Sequence, residues 1–499
     1  MAFAAHAWYS FIVSRLNRNV FKAFEVIQSA FMKGSAAKIL IPISNSFFVR
    51  NFLRGGFLSL FEFTGISFVF AVPNEKLEYY KQEFTDPRVR FVATPEVARP
   101  RLEKLFKEIE VSSIPTHTVR MMHWFYFLRK GTKQWFPIRA VIFCLRMMLW
   151  FAGHVPLWRS FVRSLYRIFR DKEHALFIAQ ESPDIVFAPT MIYGSEWIFL
   201  KEALRKGVRT VGMTSSWDNL YAKTFVRVKL DALLVQTEIM KRTARRYSGI
   251  PASSIYVTGV PQYDRYFNAP PLMSRENFMK SIGADPSKKL VVYAFSGKST
   301  AELDMAVVRK LSSYIRDGGF GGAELLLRPY PKRDMSQEKV DALIEELGIR
   351  ALPSAAKVGE GKNAWEFDEK ALSLLTNTLA HADVVVTACS TFLVEAAVFG
   401  KPEISIGFDM EPGLNYWNSA RRFFDWDHLR DLSPLKGVYI ARSFDDLVSA
   451  VSDYILHPEH DASGRKAIVR EQCVFTDGRS VERVAELIRG PAGLLSGGI

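Results

Sequence analysis

The sequence is poor in cysteine, and its first fourteen residues carry no charged side chain. Its three cysteines, Cys144, Cys389 and Cys473, are far apart and show no C-x-x-C spacing. This pattern argues against a disulfide framework and against a zinc site, and it suits a reducing compartment. The first charged residue is Arg15, so the basic start and small-residue cleavage site of a secretory signal are not found. We therefore expect a cytoplasmic protein.

Acidic residues are missing from the stretch in which basic residues are densest. Between Arg120 and Arg170 the chain has ten Lys or Arg residues and neither Asp nor Glu. The formal net charge of the chain is +14, so this stretch leaves only +4 for the remainder. The same stretch holds thirteen aromatic residues, which are Trp124, Phe125, Tyr126, Phe127, Trp135, Phe136, Phe143, Trp150, Phe151, Trp158, Phe161, Tyr166 and Phe169.

This composition predicts a basic and aromatic helical insert at about residues 119–172. Cations interleaved with aromatic rings suit the interface of an anionic bilayer. A spanning helix needs roughly 20 mostly apolar residues, whereas the best candidate, residues 138–157, contains Arg139, Arg146 and Pro156. We expect the insert to lie on a membrane rather than cross it. The alternative is a set of ordinary helices on the first domain, with arginine stems covering apolar surface.

The N-terminal residues 1–35 show the same tendency. Apolar side chains recur there at steps of three or four, at Val13, Leu16, Val20, Phe24, Ile27 and Phe31. Arg15, Arg18, Lys22 and Glu25 occupy other positions, so the pattern predicts an amphipathic helix. With the insert, it predicts a peripheral protein at the inner face of the membrane.

Nucleic acid is not an expected partner. Arginine and aromatic residues can bind single strands, and a positive net charge favours such binding. No recognisable RNA- or DNA-binding module surrounds the basic stretch, however. We therefore assign its charge to the membrane or to packing.

Alternation of short apolar runs with helical segments predicts an α/β protein of two domains. The chain has 499 residues, 48% of them hydrophobic and 24% charged, which is enough for two full cores. Residues 36–270 form a first Rossmann-like domain and residues 271–485 a second, with a boundary near Pro270 and Pro271 and a tail at 486–499. The predicted strands are 38–44, 65–73, 89–94, 184–189, 208–214, 232–236, 289–295, 325–328, 383–387, 404–407 and 438–441.

Candidate site residues follow several of these strands, at the edge where parallel sheets bind ligands. After strand 383–387, Ser390 and Thr391 form a polar turn that would expose free amides to a phosphate. Their alternative role is plain helix capping. Strand 325–328 ends at Arg328, with Lys332 soon after, and strand 289–295 is followed by Ser296 and Lys298. The segment AFSGKST lacks the spacing of a phosphate-binding P-loop.

The first half contributes two further segments. Asp218 and Asn219 follow strand 208–214 in SSWDNLYAK, and a carboxylate there could deprotonate an acceptor hydroxyl. An Asx turn is the alternative for Asp218. Gly259 and Asp264 belong to VTGVPQYDRYF at the end of this half. Asp425 and Asp427 match a D-x-D metal pattern, but the spacing is too common to define a site, and we assign no metal residues.

Taken together, these segments resemble GT-B enzymes, and LLLRPYPKRD resembles a strand-loop of the CDP-glycerol glycerophosphotransferase family and its capsule-transferase relatives. The resemblance implies that the turn at Ser390 holds donor phosphate, that Glu395 on the following helix binds the nucleotide ribose, and that Arg328 and Lys332 neutralise a diphosphate. It also implies that Asp218 and Asn219 face the acceptor, that Gly259 and Asp264 shape the cleft, and that no metal or cofactor is needed. Tyr330 stands where that family commonly has histidine.

The resemblance implies a glycosyltransferase that moves sugar from a nucleotide-sugar donor to a surface glycan or a lipid-linked acceptor. Three alternatives remain open. They are a glycerophosphotransferase that uses a CDP-linked polyol, a nonhydrolysing sugar-nucleotide epimerase of the same architecture, and a noncatalytic glycan-binding or assembly subunit. The donor that the cleft binds separates the glycosyltransferase from the glycerophosphotransferase, and membrane sedimentation distinguishes these from the epimerase. Turnover of no donor favours the noncatalytic subunit.

Overall fold

A computed structural model describes residues 37–129, 135–268, 272–297, 299–330, 337–353, 358 and 365–489. Several sequence-based predictions fall elsewhere. The amphipathic helix at 1–35, the boundary at Pro270 and Pro271, the side chains of Lys298 and Lys332, and the end of the tail from residue 490 lie outside the described residues.

The first domain is built on a seven-stranded parallel sheet with the order β3-β2-β1-β4-β5-β6-β7. Its register pairs Leu40 of the first strand with Val69 of the second and with Val186 of the fourth. The strands are β1 Lys38–Pro42, β2 Ser67–Val72, β3 Val89–Ala93, β4 Ile185–Ala188, β5 Arg209–Met213, β6 Ala232–Val235 and β7 Ile255–Val257.

The second domain has a six-stranded parallel sheet with the order β10-β9-β8-β11-β12-β13. These strands are β8 Leu290–Ala294, β9 Glu324–Arg328, β10 Arg350–Ala351, β11 Val384–Thr387, β12 Glu403–Ile406 and β13 Tyr439–Ala441. In each sheet the strand order reverses beside the first strand, between β1 and β4 and between β8 and β11. Such switch points are where open α/β sheets bind ligands. The predicted pair of Rossmann-like α/β domains is confirmed.

Helices cover both faces of each sheet. The α-helices of seven or more residues are Leu77–Glu83, Pro100–Ser112, His117–Leu128, Phe136–Gly153, Pro156–Ile168, Lys172–Glu181, Gly194–Arg205, Arg275–Ser281, Ala301–Arg316, Gln337–Leu347, Glu369–His381, Phe392–Val398, Phe444–Leu456, Ala462–Cys473 and Ser480–Arg489. Shorter α-helices are Ser46–Phe48, Asn219–Ala222, Glu238–Thr243, Asp264–Phe267 and Asp427–Arg430.

The strands are buried on both faces, which explains their near-continuous apolar sequences. Along β1, Leu40 packs into one core cluster and Ile39 and Ile41 into the other, on the opposite face of the sheet. In the second domain Val292 and Val291 of β8 divide in the same way. The alternation follows from the two-residue period of a strand, and it leaves the loops at the strand ends, rather than the strands, open to solvent.

The final helix, Ser480–Arg489, returns to the first domain. Val481, Val484 and Ile488 join the core cluster on the β1 and β2 side of the first sheet. The Asp264 carboxylate accepts hydrogen bonds from the N–H groups of Ser480 and Val481, at 3.0 and 2.7 Å. The sequence placed residues up to 485 in the second domain and the rest in a tail, whereas this helix completes the first domain.

The basic and aromatic stretch forms three helices, His117–Leu128, Phe136–Gly153 and Pro156–Ile168, between β3 and β4. Helix Phe136–Gly153 is long and apolar enough to cross a membrane by length and composition. One side of it packs on the first domain, where Phe143 stacks on Phe127 at 4.7 Å and the Trp150 Nε1–H donates to the Thr116 carbonyl at 2.9 Å. The helix therefore has one packed side and one open side.

Candidate functional site

The loops at the carboxyl ends of both sheets meet around a cleft of about 330 Å³. A cleft of this size accommodates a small-molecule ligand. It brings together five of the site residues predicted from the sequence, Asp218, Asn219, Ser296, Ser390 and Thr391. The other principal lining residues are Tyr193, Ser215, Ser216, Trp217, Lys223, Tyr263, Ser299, Tyr330, Cys389, Phe423, Trp426 and His428.

The second-domain wall of the cleft is a hydroxyl-rich turn after β11. The Ser296 hydroxyl pairs with Thr387 Oγ1 at 2.9 Å and accepts the N–H of Cys389 at 3.1 Å, which fixes the turn to the loop after β8. The Ser390 hydroxyl accepts the N–H of Phe392 at 3.2 Å. Ser390 thus makes a local turn one residue before Thr391, the N-cap of helix Phe392–Val398, whose own side chain makes no capping hydrogen bond. Ser390 also lines the cleft.

Two backbone donors are available in this turn. The N–H groups of Ser390 and Thr391 donate no hydrogen bond to another residue that the structure describes, whereas those of Leu393 and Val394 bond to the carbonyls of Ser390 and Thr391. Thr391 has φ −60° and ψ −14°, a helical conformation. Free N–H groups that precede a helix are suited to bind phosphate oxygens.

The buried carboxyl group of Asp304 supports the loop of Ser296 in this wall. Asp304 accepts hydrogen bonds from the Tyr293 hydroxyl and the Thr300 hydroxyl, both at 2.8 Å, and from the N–H of Ser296 at 3.3 Å. Burial raises the pKa of Asp304 to about 7 against these hydrogen bonds. Asp304 thus holds the loop of Ser296 in place without lining the cleft itself.

The first-domain wall is organised by Asn219. Its side-chain oxygen accepts the N–H groups of Ser215 and Ser216, at 2.9 and 3.2 Å, and the residue is completely buried. Asn219 therefore folds the loop after β5, and this loop presents the neighbouring Asp218 to the cleft.

Asp218 is partly exposed and forms an ion pair with Lys223 at 2.8 Å. Burial alone would raise the pKa of Asp218, but the Lys223 ammonium and the nearby His428 ring outweigh it and hold the pKa below its ordinary value. The carboxylate is ionised at neutral pH. A carboxylate with a lowered pKa is a weak base.

His428 reaches the same wall from the second domain. It follows Asp427 at the start of a short helix and is 8% exposed, and its ring lies 5.2 Å from that of Trp217 and 5.8 Å from that of Trp426. Its Nδ1 atom is buried and has no hydrogen-bond partner among the described residues. Burial lowers the pKa of His428, although Asp218 opposes the shift. The ring is therefore neutral at neutral pH and able to accept a proton.

The structure places four predicted residues outside the cleft lining. Glu395 is 3% exposed and accepts hydrogen bonds from Gln262 at 2.8 Å and from the Tyr266 hydroxyl at 2.7 Å, across the domain junction. The Arg328 guanidinium lies 4.5 Å from the centre of the Phe392 ring, at the start of the helix that follows Ser390 and Thr391. Gly259 and Asp264 lie at the junction with the final helix.

Gly259 has φ +85°, and an added Cβ there would lie 2.5 Å from the Ser480 hydroxyl. A side chain is excluded both by this left-handed conformation and by the close approach of the final helix. Gly259 and Asp264 thus fix the C-terminal helix to the first domain. In the structure these two residues therefore hold the first domain together and do not line the cleft.

Two parallel Rossmann-like domains with a ligand-sized cleft between their strand ends define the GT-B architecture, as the sequence predicted. No family model matches the chain, and no curated protein matches its sequence. Solved structures do. They include S. aureus MnaA with UDP, at a TM-score of 0.52 and 11% identity over 93% of this chain and 99% of that one.

Two further matches have the same fold. The putative UDP-N-acetylglucosamine 2-epimerase of Listeria monocytogenes has a TM-score of 0.50 and 12% identity, over 91% of this chain and 96% of that chain. The UDP-GlcNAc 2-epimerase of Neisseria meningitidis, bound to UDP-GlcNAc, has a TM-score of 0.50 and 9% identity, over 91% and 99%. At these identities the matches establish the fold alone.

The sequence did not identify His428, Lys223 or Trp217 as cleft residues. Lys223 and Trp217 flank Asp218 within SSWDNLYAK, so the segment itself contained the signal. His428 gave no such signal, because it meets Asp218 only through the packing of two domains. The neighbouring D-x-D pattern has a structural role, since Asp427 accepts the N–H and the hydroxyl of Thr118 at 2.7 and 2.8 Å and Asp425 accepts the Tyr416 hydroxyl.

Proposed function

We propose that the protein is a nucleotide-sugar-dependent glycosyltransferase. The observation that carries the proposal is a cleft with free N–H donors on the wall of one domain and a carboxylate and histidine pair on the other. In the proposed reaction an acceptor hydroxyl oxygen bonds to the anomeric carbon of the sugar. The bond between that carbon and the phosphate oxygen breaks, and a nucleoside diphosphate leaves with the electron pair.

The donor occupies the second-domain side in this proposal. The N–H groups of Ser390 and Thr391 bind a phosphate oxygen, and the Thr391 hydroxyl adds a further donor. Arg328 lies behind the turn and offsets the charge of the leaving diphosphate, together with Lys332 and Lys298. Glu395 contributes through Tyr266 and Gln262, which position the start of the second domain.

The acceptor occupies the first-domain side. We assign proton acceptance to His428, because its ring is neutral and lines the cleft, and because a general base needs a pKa near the working pH. Asp218, the base expected from the sequence, is ionised and paired with Lys223. In the proposal it stabilises the imidazolium that forms when His428 takes the proton.

The acceptor is a surface glycan or a lipid-linked glycan at the inner face of the membrane. Its hydroxyl approaches His428 along the wall formed by Trp217 and Asp218, in the loop that the buried Asn219 holds in place. An indole beside a carboxylate suits a sugar, because the ring packs on the apolar C–H face while the carboxylate accepts hydrogen bonds from hydroxyls.

Nucleotide binding is the test of this function. We expect one nucleotide among UDP, GDP, CDP and CMP to raise the melting temperature, because a ligand that binds only the folded state stabilises it. UDP is the first choice, since a protein of this fold was solved with it. Thr391→Pro removes one N–H donor, and the φ of −60° at this position suits proline. We expect this variant to weaken binding by about tenfold.

Thr391→Ala is the matched control, because it removes the hydroxyl and keeps the N–H. If the proposal is correct, proline costs more affinity than alanine, while both variants unfold at similar temperatures without ligand. A shift with CDP alone would favour the polyol phosphate transferase. Absence of a shift with every nucleotide would contradict both enzymes and favour a noncatalytic subunit.

A further inference from the structure

The open side of helix Phe136–Gly153 is apolar along its whole length. Its large hydrophobic residues Ile138, Val141, Leu145 and Met148 are 51–67% exposed and recur at steps of three or four, on one face of the helix. Cys144 is exposed on the same side. Water-facing helices of folded proteins normally carry polar residues there, so this face requires a partner.

The next helix, Pro156–Ile168, repeats the arrangement. Leu157 is 79% exposed, Phe161 56% and Ile168 68%, and they lie on one face at steps of four and seven. On the opposite face Val162 and Tyr166 are buried in the core of the first domain. We call the exposed residues of the two helices, Ile138, Val141, Leu145, Met148, Leu157, Phe161 and Ile168, the outer apolar face.

An ion pair and hydrogen bonds hold both helices against the first domain. Arg146 donates to Glu108 at 3.1 Å, and Arg163 donates to the carbonyls of Val226, Phe225 and Ser248 at 2.6–3.0 Å. A helix that spans a bilayer is surrounded by lipid, whereas these helices pack on one side against the first domain. The geometry therefore favours a helix pair that lies along a membrane surface rather than crosses it.

Charge identifies the partner. Arg167 and Arg170 are exposed at the end of helix Pro156–Ile168, and Arg129 is exposed at the end of helix His117–Leu128. The stretch from Arg120 to Arg170 has no acidic residue. Residues 1–36 contain Arg15, Arg18, Lys22 and Lys33 against a single acid, Glu25. Residues 1–36 and a second copy of the basic stretch therefore both carry net positive charge. Each of them would be repelled by the positive charge around the outer apolar face. An anionic bilayer complements both the apolar surface and its charge.

We propose that the outer apolar face docks on an anionic lipid bilayer and holds the protein flat against it. The proposal does not rest on the proposed function. Helix His117–Leu128 connects the face to the cleft, because Trp124 packs on Phe143 at 4.6 Å and on Trp417 of the second domain at 6.1 Å. Thr118 of the same helix bonds to Asp427, the neighbour of His428. Docking thus places the bilayer one helix away from the wall that holds His428.

Cys144 provides a native reporter for the test. The full chain is labelled there with a polarity-sensitive maleimide dye, and Cys144→Ser serves as the labelling control, since Cys389 is half-buried and Cys473 is buried. Vesicles are phosphatidylcholine alone or with about one third phosphatidylglycerol. We expect a blue shift of the dye emission on the anionic vesicles, with binding at least about fivefold tighter than to the neutral ones.

The double substitution Val141→Glu and Met148→Glu places charge on the face without touching the core. We expect it to weaken vesicle binding by about tenfold or more. Leu456→Glu, at a residue 72% exposed on the second domain, is the matched control and should bind as the unaltered chain does. Binding that is unchanged by the double substitution, or a dye that stays in water with all vesicles, would overturn the proposal.

Thermal unfolding without lipid tests the other two candidates for covering the face, residues 1–36 and a second copy of the chain. A drop in melting temperature caused by the double substitution but not by Leu456→Glu, in a protein that binds no vesicles, would show that residues 1–36 or a second copy cover the face. That outcome would also overturn the proposal. None of these readouts depends on nucleotide, so the nucleotide test and the docking test fail separately.

Discussion

Single residues decide the chemistry at the first-domain wall. Asp218 and His428 come from different domains and differ in protonation at neutral pH, one ionised and one neutral. Each perturbs the other, because the carboxylate raises the pKa of the ring and the ring lowers that of the carboxylate. Pairs of groups with separated pKa values are typical of acid and base sites.

The pH profile of turnover tests this assignment. The transfer rate should rise with pH as His428 loses its proton, at a pKa below the ordinary 6.5, because only the neutral ring accepts a proton. His428→Asn should lower kcat by about 10²- to 10⁴-fold and remove this limb, with little change in the donor KM. Asp218→Asn should move the limb to lower pH, because it removes the charge that stabilises the imidazolium.

His154→Gln is the control for that experiment, since His154 is exposed on the insert. An unaltered acid limb in His428→Asn would assign the base elsewhere, with Asp218 the next candidate. A fall in donor affinity equal to the fall in rate would indicate that His428 supports the cleft rather than the chemistry.

Residue patterns predicted part of this site. Ser390, Thr391, Ser296, Asp218 and Asn219 were found because each follows a recognisable strand, and strand ends converge in parallel sheets. Glu395 was expected to face the ribose, but its position on a helix does not disclose that Tyr266 and Gln262 reach it from the other domain. His428 could not be found, because no local pattern records a contact between residues 210 positions apart.

At the scale of elements, apolar runs located eleven strands to within about two residues. The runs were distinctive because both faces of each strand are buried. The two strands not predicted, Ile255–Val257 and Arg350–Ala351, have three and two residues and lie at sheet edges, where burial is lower. The insert was predicted as helical and basic, but only packing separates its core-facing side from its outer apolar face.

The loop of Ser296 depends on a buried acid, and this dependence predicts a pH effect on stability. The pKa of Asp304 is about 7 in the folded protein and ordinarily 3.8, so the folded state binds a proton that the unfolded state has lost between these values. Its contribution to stability falls as pH rises through that window. Asp304→Asn should therefore gain stability relative to the unaltered protein between pH 4 and 7, by on the order of 3 kcal/mol.

Urea unfolding of both proteins across that pH range measures the difference. Asp445→Asn, at an exposed acid of helix Phe444–Leu456, is the control and should show a much smaller pH-dependent difference. A constant difference between Asp304→Asn and the unaltered protein would mean that Asp304 remains ionised throughout.

At the scale of the whole molecule, a buried ionic cluster fixes the two domains to each other. Glu366 of the second domain contacts Lys76 at 2.8 Å and Arg54 at 3.2 Å, and it accepts the Ser46 hydroxyl at 2.8 Å. Glu366 and Lys76 are 1% and 2% exposed. Such clusters add little net stability but are costly to break, and this one joins the two domains through buried charges.

Glu366→Ala should destabilise the protein by about 3–5 kcal/mol, because it leaves Lys76 buried without its carboxylate. We also expect a larger radius of gyration by small-angle scattering, as the domains lose their fixed orientation. Glu369→Ala, which breaks the exposed pair with Arg265, should cost less than about 1 kcal/mol. Equal effects of the two substitutions would show that the buried cluster does not hold the domains.

Because helix Ser480–Arg489 returns to the first domain, the second domain is an insertion within the chain of the first domain. The core of the first domain is closed by Val481, Val484 and Ile488, which are synthesised after the strands of the second domain. During translation the second domain can complete its sheet while the first domain still exposes the apolar surface around Phe61 and Phe68. A truncation at about residue 479 would therefore leave a well-formed second domain attached to a first domain with an open core, and aggregation would begin from the first domain.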